Sequence, residues 1–222
     1  MQVSNATRLI SSAAELGVPI DAPQADAMLR LLDELEQWNR SFNLTRITGR
    51  AAQIAGHLLD SLAASGELRG TRIADLGTGA GFPGLPLAIV HREREFTLID
   101  GTAKKIRFVE HAARVLALRN VRAVHVRAEA FRPEAPFDTI LARAVAALPE
   151  LARLARPLAA AGTRLIAYKG RHPQAELASI PADWQFSGVR AVQVPGIQAE
   201  RCLVTLLARD APPGAPAARP AG

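Results

Sequence analysis

The spacing of apolar residues changes character just after Gly66. Before it, apolar positions recur at three- and four-residue steps. Leu9, Ile10, Ala13 and Leu16 mark a first helix that Asn5 can cap and that Gly17 and Pro19 close. Met28, Leu31, Leu32, Leu35 and Trp38 form a longer stripe, begun by Asp21 ahead of Pro23. The run Phe42 to Thr48 breaks the period. Ile54, His57, Leu58 and Leu62 then predict a third helix, on which His57 and Asp60, three residues apart, read as a structural pair.

From Arg72 onward short apolar runs alternate with helical stretches. Strands are expected at Ile73 to Leu76, Phe96 to Ile99, Val121 to Val126, Asp138 to Ala142 and Thr163 to Tyr168, with a closing pair near Gly188 to Val194 and Cys202 to Ala208. Helices fall between them: one through Val90, one from about Thr102 to Leu118, and one from Pro149 to Leu158. This alternation is the signature of an α/β fold, a mostly parallel sheet covered on both faces. The chain therefore divides into a helical N-terminal extension (1–66), an α/β domain (67–210) and a Pro- and Ala-rich tail (211–222) that cannot build a core and is expected to be disordered.

Composition narrows the class. With 222 residues, 49% hydrophobic and 22% charged, the chain can bury a proper core. It has neither a signal-peptide apolar segment nor a run near the ~18 apolar residues of a membrane span, so a cytoplasmic location is the expectation. The single Cys202 excludes an internal disulfide and a cysteine cluster, and the five histidines never fall at ligand spacing, so no metal is expected. A monomer is the default. Residues 1–66 carry five Arg against seven Asp or Glu, a net charge of −2, whereas 67–222 carry 22 basic and 14 acidic residues, a net of +8. A basic α/β part suits a polyanionic partner such as RNA, and an Arg-rich composition is the plain alternative.

The chemistry centres on Asp75-Leu76-Gly77-Thr78-Gly79-Ala80-Gly81-Phe82-Pro83-Gly84, a strand running into a glycine turn and then a helix. Glycines at alternate positions admit positive φ and a ligand's close approach to the main chain. Gly79 to Gly84 do spell G-x-G-x-x-G, the dinucleotide fingerprint, but that match starts two residues late, because Gly77 is the first glycine after the strand. Counted from Asp75 the pattern is D-x-G-x-G-x-G. That form resembles the first motif of class I S-adenosylmethionine-dependent methyltransferases. Asp100, ending the second strand, is placed to accept from the hydroxyls of an adenosine ribose, or to cap the next helix. Lys104, Lys105 and Arg107 occupy that helix's first turn, where the dipole disfavours cations. An outside anion, RNA phosphate or a cofactor carboxylate, would explain them, as would a solvated face. After the third strand Ala128 and Glu129 can meet an adenine, with Glu129 alternatively capping the next turn; Arg143 and Lys169 end the fourth and fifth strands.

The glycine motif together with Asn43-Leu44-Thr45, His57-Leu58-Leu59-Asp60-Ser61, Arg127-Ala128-Glu129, Arg143-Ala144-Val145-Ala146 and Lys169-Gly170 resembles the bacterial glucose-inhibited division protein B family, the 7-methylguanosine methyltransferases of small-subunit ribosomal RNA. The likeness spans about residues 30 to 208. It implies a Rossmann-like class I methyltransferase with a seven-stranded sheet behind a helical extension, using S-adenosyl-L-methionine to modify one guanine of 16S ribosomal RNA. By motif it assigns Asp75, Gly77, Gly79, Phe82, Asp100, Gly101, Thr102, Ala128, Glu129 and Arg143 to the cofactor, and brings Arg143 and Lys169 to the reacting base. Gly101 stands where relatives often have serine, and the tail is extra.

The residues also bear on the methylated atom. Methylating a pyrimidine carbon calls for a cysteine nucleophile, and Cys202 lies in a late strand away from the fourth-strand edge. Methylating an exocyclic amine usually goes with an Asn- or Asp-Pro-Pro-aromatic turn, and here that turn is Arg143-Ala144-Val145. Nitrogen 7 of guanine attacks through an in-plane lone pair and releases no proton, so alignment suffices and the rate is expected to be flat between about pH 6 and 9. Arg143 or a nearby lysine is left to hold the guanine's carbonyl oxygen. Two other readings remain at this stage: a non-catalytic RNA-binding or assembly factor, and a nicotinamide-dependent oxidoreductase, which lacks a recognisable hydride-transfer constellation.

Overall fold

The computed structural model describes residues 4–210; the expected disorder of the tail lies outside them. Strands β1 (Arg72–Leu76), β2 (Glu95–Asp100), β3 (Val121–His125), β4 (Phe137–Arg143), β5 (Ala159–Lys169), β6 (Trp184–Ala191) and β7 (Cys202–Ala208) form one sheet in the order β3-β2-β1-β4-β5-β7-β6. The first five are parallel, and β7 runs antiparallel to both β5 and β6. After β3 at one edge the chain returns to lay β4 beside β1. That reversal opens a crevice at the carboxyl ends of the strands, where open α/β sheets bind ligands.

Strand alternation sends the sheet's apolar residues to two cores. Ile73 joins one; Ala74 and Leu76 join the other. The second core is covered by α7 (Leu148–Ala155), which contributes Leu148, Leu151, Ala152 and Ala155. The first is covered by α5 (Gly84–Val90) and α6 (Ala103–Val115), and also by the N-terminal helices: Leu9, Met28, Leu31, Leu35 and Leu58 share it with Phe96 and Phe108. Each of these large side chains is 0–1% exposed, so the extension is anchored by burial worth ~1.5–3 kcal/mol per side chain. Lys104 adds a staple, donating to the carbonyl of Phe42 at the carboxyl end of α2 (Ala22–Phe42), where the helix dipole favours a cation.

Helix α1 (Asn5–Glu15) is capped by Ser4, whose hydroxyl accepts from the Thr7 amide, so Asn5 is the first helical residue instead of the cap. Asp21 caps α2 as expected and forms a reciprocal capping box with Gln24. The third helix is irregular: α3 (Arg50–Gln53) passes without a break into a π-helical turn (Ile54–Leu59) and a last turn, α4 (Asp60–Leu62). Strand β6 starts earlier than its apolar pattern implied. The Trp184 indole donates to the buried carbonyl of Ala152 and fixes the strand's beginning, while Val192 and Val194 are buried from the loop that follows.

Candidate active site

The glycine turn leaves β1 at Gly77 and enters α5 at Gly84. Asp75 does not face the crevice. It is fully buried beneath the turn, with one carboxylate oxygen accepting from the Thr78 hydroxyl at 2.6 Å and the Gly84 amide at 2.8 Å. Those bonds tie the turn to the first residue of α5. The other oxygen, Oδ1, has no protein partner among the described residues, and burial pushes the carboxyl up to about 6 against the lowering effect of both hydrogen bonds. A side chain at Gly84 would collide with Leu98 at 2.7 Å and with Asp75 itself at 2.8 Å. Gly79 differs: its φ is +62° and a Cβ there would meet nothing within 4 Å, so the turn leaves open space on its ligand side.

Asp100 crosses from β2 to the same turn. Its Oδ1 accepts from the Thr102 amide at 2.8 Å, and its Oδ2 from the Gly79 amide at 3.0 Å. Lys105 lies 3.4 Å from that second oxygen. The anion that accounts for Lys105 in the first turn of α6 is therefore internal, and Lys104 is engaged at Phe42; of the three basic residues only Arg107 has no protein partner among the described residues. A cavity of about 290 Å³ opens beside Asp100, lined by Gly77, Ile99, Asp100, Gly101, Thr102, Arg127, Ala128, Glu129 and Val145. Six of the ten residues assigned to the cofactor from sequence line this one space. Arg127 and Val145 were not among them. Arg127 follows β3 and Val145 follows β4, at the two strand ends that flank the crevice.

The remaining assigned residues sit on the β4 side. Phe82 is buried and stacks on the His57 ring with centroids 4.5 Å apart, and the Arg143 guanidinium lies over its ring at 5.8 Å. His57 and Asp60 do not bond to each other. The His57 Nε2 pairs with the Thr45 hydroxyl at 2.9 Å, and burial and then the Arg143 charge lower its pKa to about 4. Asp60 turns instead to two arginines: Arg143 at 2.8 Å through Oδ2 and Arg201 at 3.3 Å through Oδ1. A second bond from Arg143 reaches the carbonyl of Gly56 in the π-helical turn at 2.9 Å. Lys169 emerges at this edge and is held by Glu176 at 2.8 Å and the Ala146 carbonyl at 3.2 Å. Nothing in the local sequence around Asp60 or Arg201 announced their pairing, because the partners lie in three separate segments.

A second cavity, of about 760 Å³, lies farther along the same edge between Glu15, Gly170, His172 and the β6–β7 loop. It shares no residue with the glycine turn. Among the described residues no cluster of three or more His, Cys, Asp or Glu is placed to hold a metal, and no helix is long and apolar enough to cross a membrane.

Residues 24–204 match the sequence pattern of the family described as rRNA small subunit methyltransferase G. The "Ribosomal RNA small subunit methyltransferase G" of Methylococcus capsulatus is 46% identical over 193 residues, covering 87% of this chain and 94% of that protein. The protein of the same name from Pseudomonas paraeruginosa is 42% identical, covering 91% and 95%. Among solved structures, Pyrococcus horikoshii TYW2 in complex with MeSAdo superposes with a TM-score of 0.57 at 14% identity, over 75% of this chain and 66% of that one, a likeness of fold. With the pattern matched over most of its length and such relatives aligned almost end to end, the chain belongs to the rRNA small subunit methyltransferase G family.

Proposed function

We propose that the protein is an S-adenosylmethionine-dependent methyltransferase that modifies N7 of a guanine in 16S ribosomal RNA. One observation carries this reading: Gly77, Asp100, Gly101, Thr102, Ala128 and Glu129 converge on one cavity at the sheet's reversal point, next to the open space at Gly79. Those residues suit the cofactor. Asp100, fixed by two backbone amides and Lys105, keeps a lone pair on Oδ1 for a ribose hydroxyl; Ala128 and Glu129 stand where an adenine edge needs a donor and an acceptor; Gly79 leaves room for the amino-acid end, while Gly77, close against Val145, lines the cavity. When bound, the cofactor supplies an electrophilic methyl on a sulfonium centre.

The protein's own contribution is placement. Phe82, backed by His57, gives an apolar wall between the two halves of the site, and Arg143 is held beside it as a donor to the RNA substrate. Guanine N7 gives up no proton in the transfer, so no side chain has to act as base. Burial raises the Cys202 thiol further above neutrality, which removes it as a nucleophile. Both halves of the site come from one chain, and we read the working unit as a monomer. The test is transfer of tritiated methyl groups to unmodified 16S ribosomal RNA and to small subunits, followed by mapping of the base. Label at N7 of one guanine is expected, with a single-turnover rate flat from about pH 7 to 9. The window begins above the Asp75 carboxyl, which titrates near 6. Label on another atom, or none, would reject the reading.

A further inference from the structure

The ion cluster around Asp60 joins parts of the chain that the sheet alone does not connect. Asp60 comes from α4 in the helical extension, Arg143 is the last residue of β4, and Arg201 immediately precedes β7. Cys202, the first residue of β7, pairs with Lys169 at the carboxyl end of β5, so Arg143 and Arg201 flank β5 at the edge that carries the crevice. Two guanidinium groups brought this close repel each other unless a carboxylate stands between them. Asp60 does so with one oxygen for each, from a position where its side chain is 9% exposed.

The arginines are not used up by this arrangement. Arg143 spends a single Nη on both Asp60 and the Gly56 carbonyl, leaving its Nε and other Nη without a protein partner among the described residues. Arg201 gives Nε to Asp60 and one Nη to the Glu200 carbonyl, leaving the other Nη free in the same sense. Their side chains are 18% and 33% exposed, so the free donors are reachable from solvent. The cluster keeps a net charge of +1 and offers guanidinium N–H groups in fixed directions, the arrangement that recognises a phosphodiester oxygen. Lys169, the other cation ending a strand at this edge, is already neutralised by Glu176.

We propose that Asp60 is a positioning residue that presents Arg143 and Arg201 as a paired clamp for a phosphodiester of the RNA substrate. The extension thereby supplies part of the substrate site. This rests on the proposed RNA substrate. The experiment uses the full chain and three variants, Asp60→Asn, Arg143→Gln and Arg201→Gln, with the double variant Asp60→Asn/Arg143→Gln. Three quantities are read: the dissociation constant for S-adenosylhomocysteine, the 16S ribosomal RNA concentration that half-saturates single-turnover transfer, and the salt dependence of RNA binding by anisotropy. Asp60→Asn should leave cofactor affinity within about twofold and raise half-saturating RNA about tenfold, the size of one charge-assisted bond. The double variant should be worse than Arg143→Gln by clearly less than the full factor of Asp60→Asn, because part of what Asp60 does passes through that arginine and the rest through Arg201. Multiplied effects in the double variant, or wild-type half-saturation in Asp60→Asn, would overturn the clamp. Should Asp60→Asn fail to fold, Arg201→Gln, on the open side, carries the test: the salt slope should fall by about one unit, and an unchanged slope overturns the proposal. Wild-type protein that binds RNA but transfers no methyl would count against the proposed reaction alone, leaving the anisotropy arm to decide the clamp.

Discussion

The two halves of the proposed site, one assigned to the cofactor and one to the substrate, are held in place by different forces. In the cofactor half the positions are set by backbone: Asp75 and Asp100 accept from the Thr102, Gly79 and Gly84 amides, and the glycines themselves fix the path of the turn. In the substrate half they are set by charges and rings brought from far apart, Asp60 between Arg143 and Arg201, and His57 against Phe82. Backbone geometry is stiff and insensitive to salt, whereas partly exposed ion pairs are screened by it. The cofactor half should therefore fail at single points, and the substrate half should fade by degrees.

The sharpest way to test that contrast is at two glycines of one turn. Gly79→Trp fills the open space, so S-adenosylhomocysteine binding measured by calorimetry should fall at least a hundredfold, while the strain of a side chain at φ +62° should cost the fold only about 1–2 kcal/mol. Gly84→Val meets Leu98 and Asp75 at 2.7–2.8 Å, so its loss should appear as a lower melting temperature. Binding retained in the first variant would break the comparison. Next in size is Asp100→Ala, expected to weaken the same ligand roughly tenfold to a hundredfold, from the ~1.5–3 kcal/mol of a charged hydrogen bond. Unchanged affinity would reassign Asp100 to holding Gly79 and Thr102 alone.

Asp75 and His57, on either side of the boundary between the halves, should give opposite pH dependences of stability. The native Asp75 carboxyl keeps its proton up to about pH 6 against 3.8 for an ordinary carboxyl, because burial disfavours the ion. Its contribution is thus complete below about pH 4 and is lost as pH rises through 6. His57 is lowered from 6.5 to about 4, so its contribution is complete above 6.5 and is lost as pH falls through 4. Asp75→Asn should gain of order 2 kcal/mol at pH 7 in urea unfolding, and should unmask a stability that climbs from pH 4 to 6.5. A variant with the parent's pH profile would mean that Asp75 is ionised throughout. The smallest effect concerns salt. Arg107→Gln, and Arg171→Gln two residues beyond the end of β5, should each flatten the salt dependence of RNA binding by about one unit, and Lys104→Gln and Lys169→Gln by less, since those two lysines already have protein partners.

The same division governs what could be read from sequence. The convergence of the glycine turn, Asp100 and Ala128-Glu129 was legible because each ends or closely follows a strand, and strand order alone gathers them. The first cap went to Ser4 instead of Asn5 because the two neighbours compete for one role and only geometry ranks them. The His57–Asp60 pair failed for a deeper reason. Spacing on a helix says which residues can meet, but the π-helical turn and two arginines supplied by distant strands decided which did. The basic first turn of α6 misled in the same way, since the anion that balances Lys105 is Asp100, across the loop.

The placement of β7 also has a bearing on synthesis. Among the described residues the last strand in sequence lies inside the sheet, between β5 and β6, and β6 has no other neighbour. Until Cys202 to Ala208 have left the ribosome, the growing chain holds five paired parallel strands with β5 as a bare rim, its main-chain donors and acceptors offered to any extended segment nearby. The nascent protein thus passes through a stage whose hazard is sticking to its neighbours, and the arrival of β7 is what seals it.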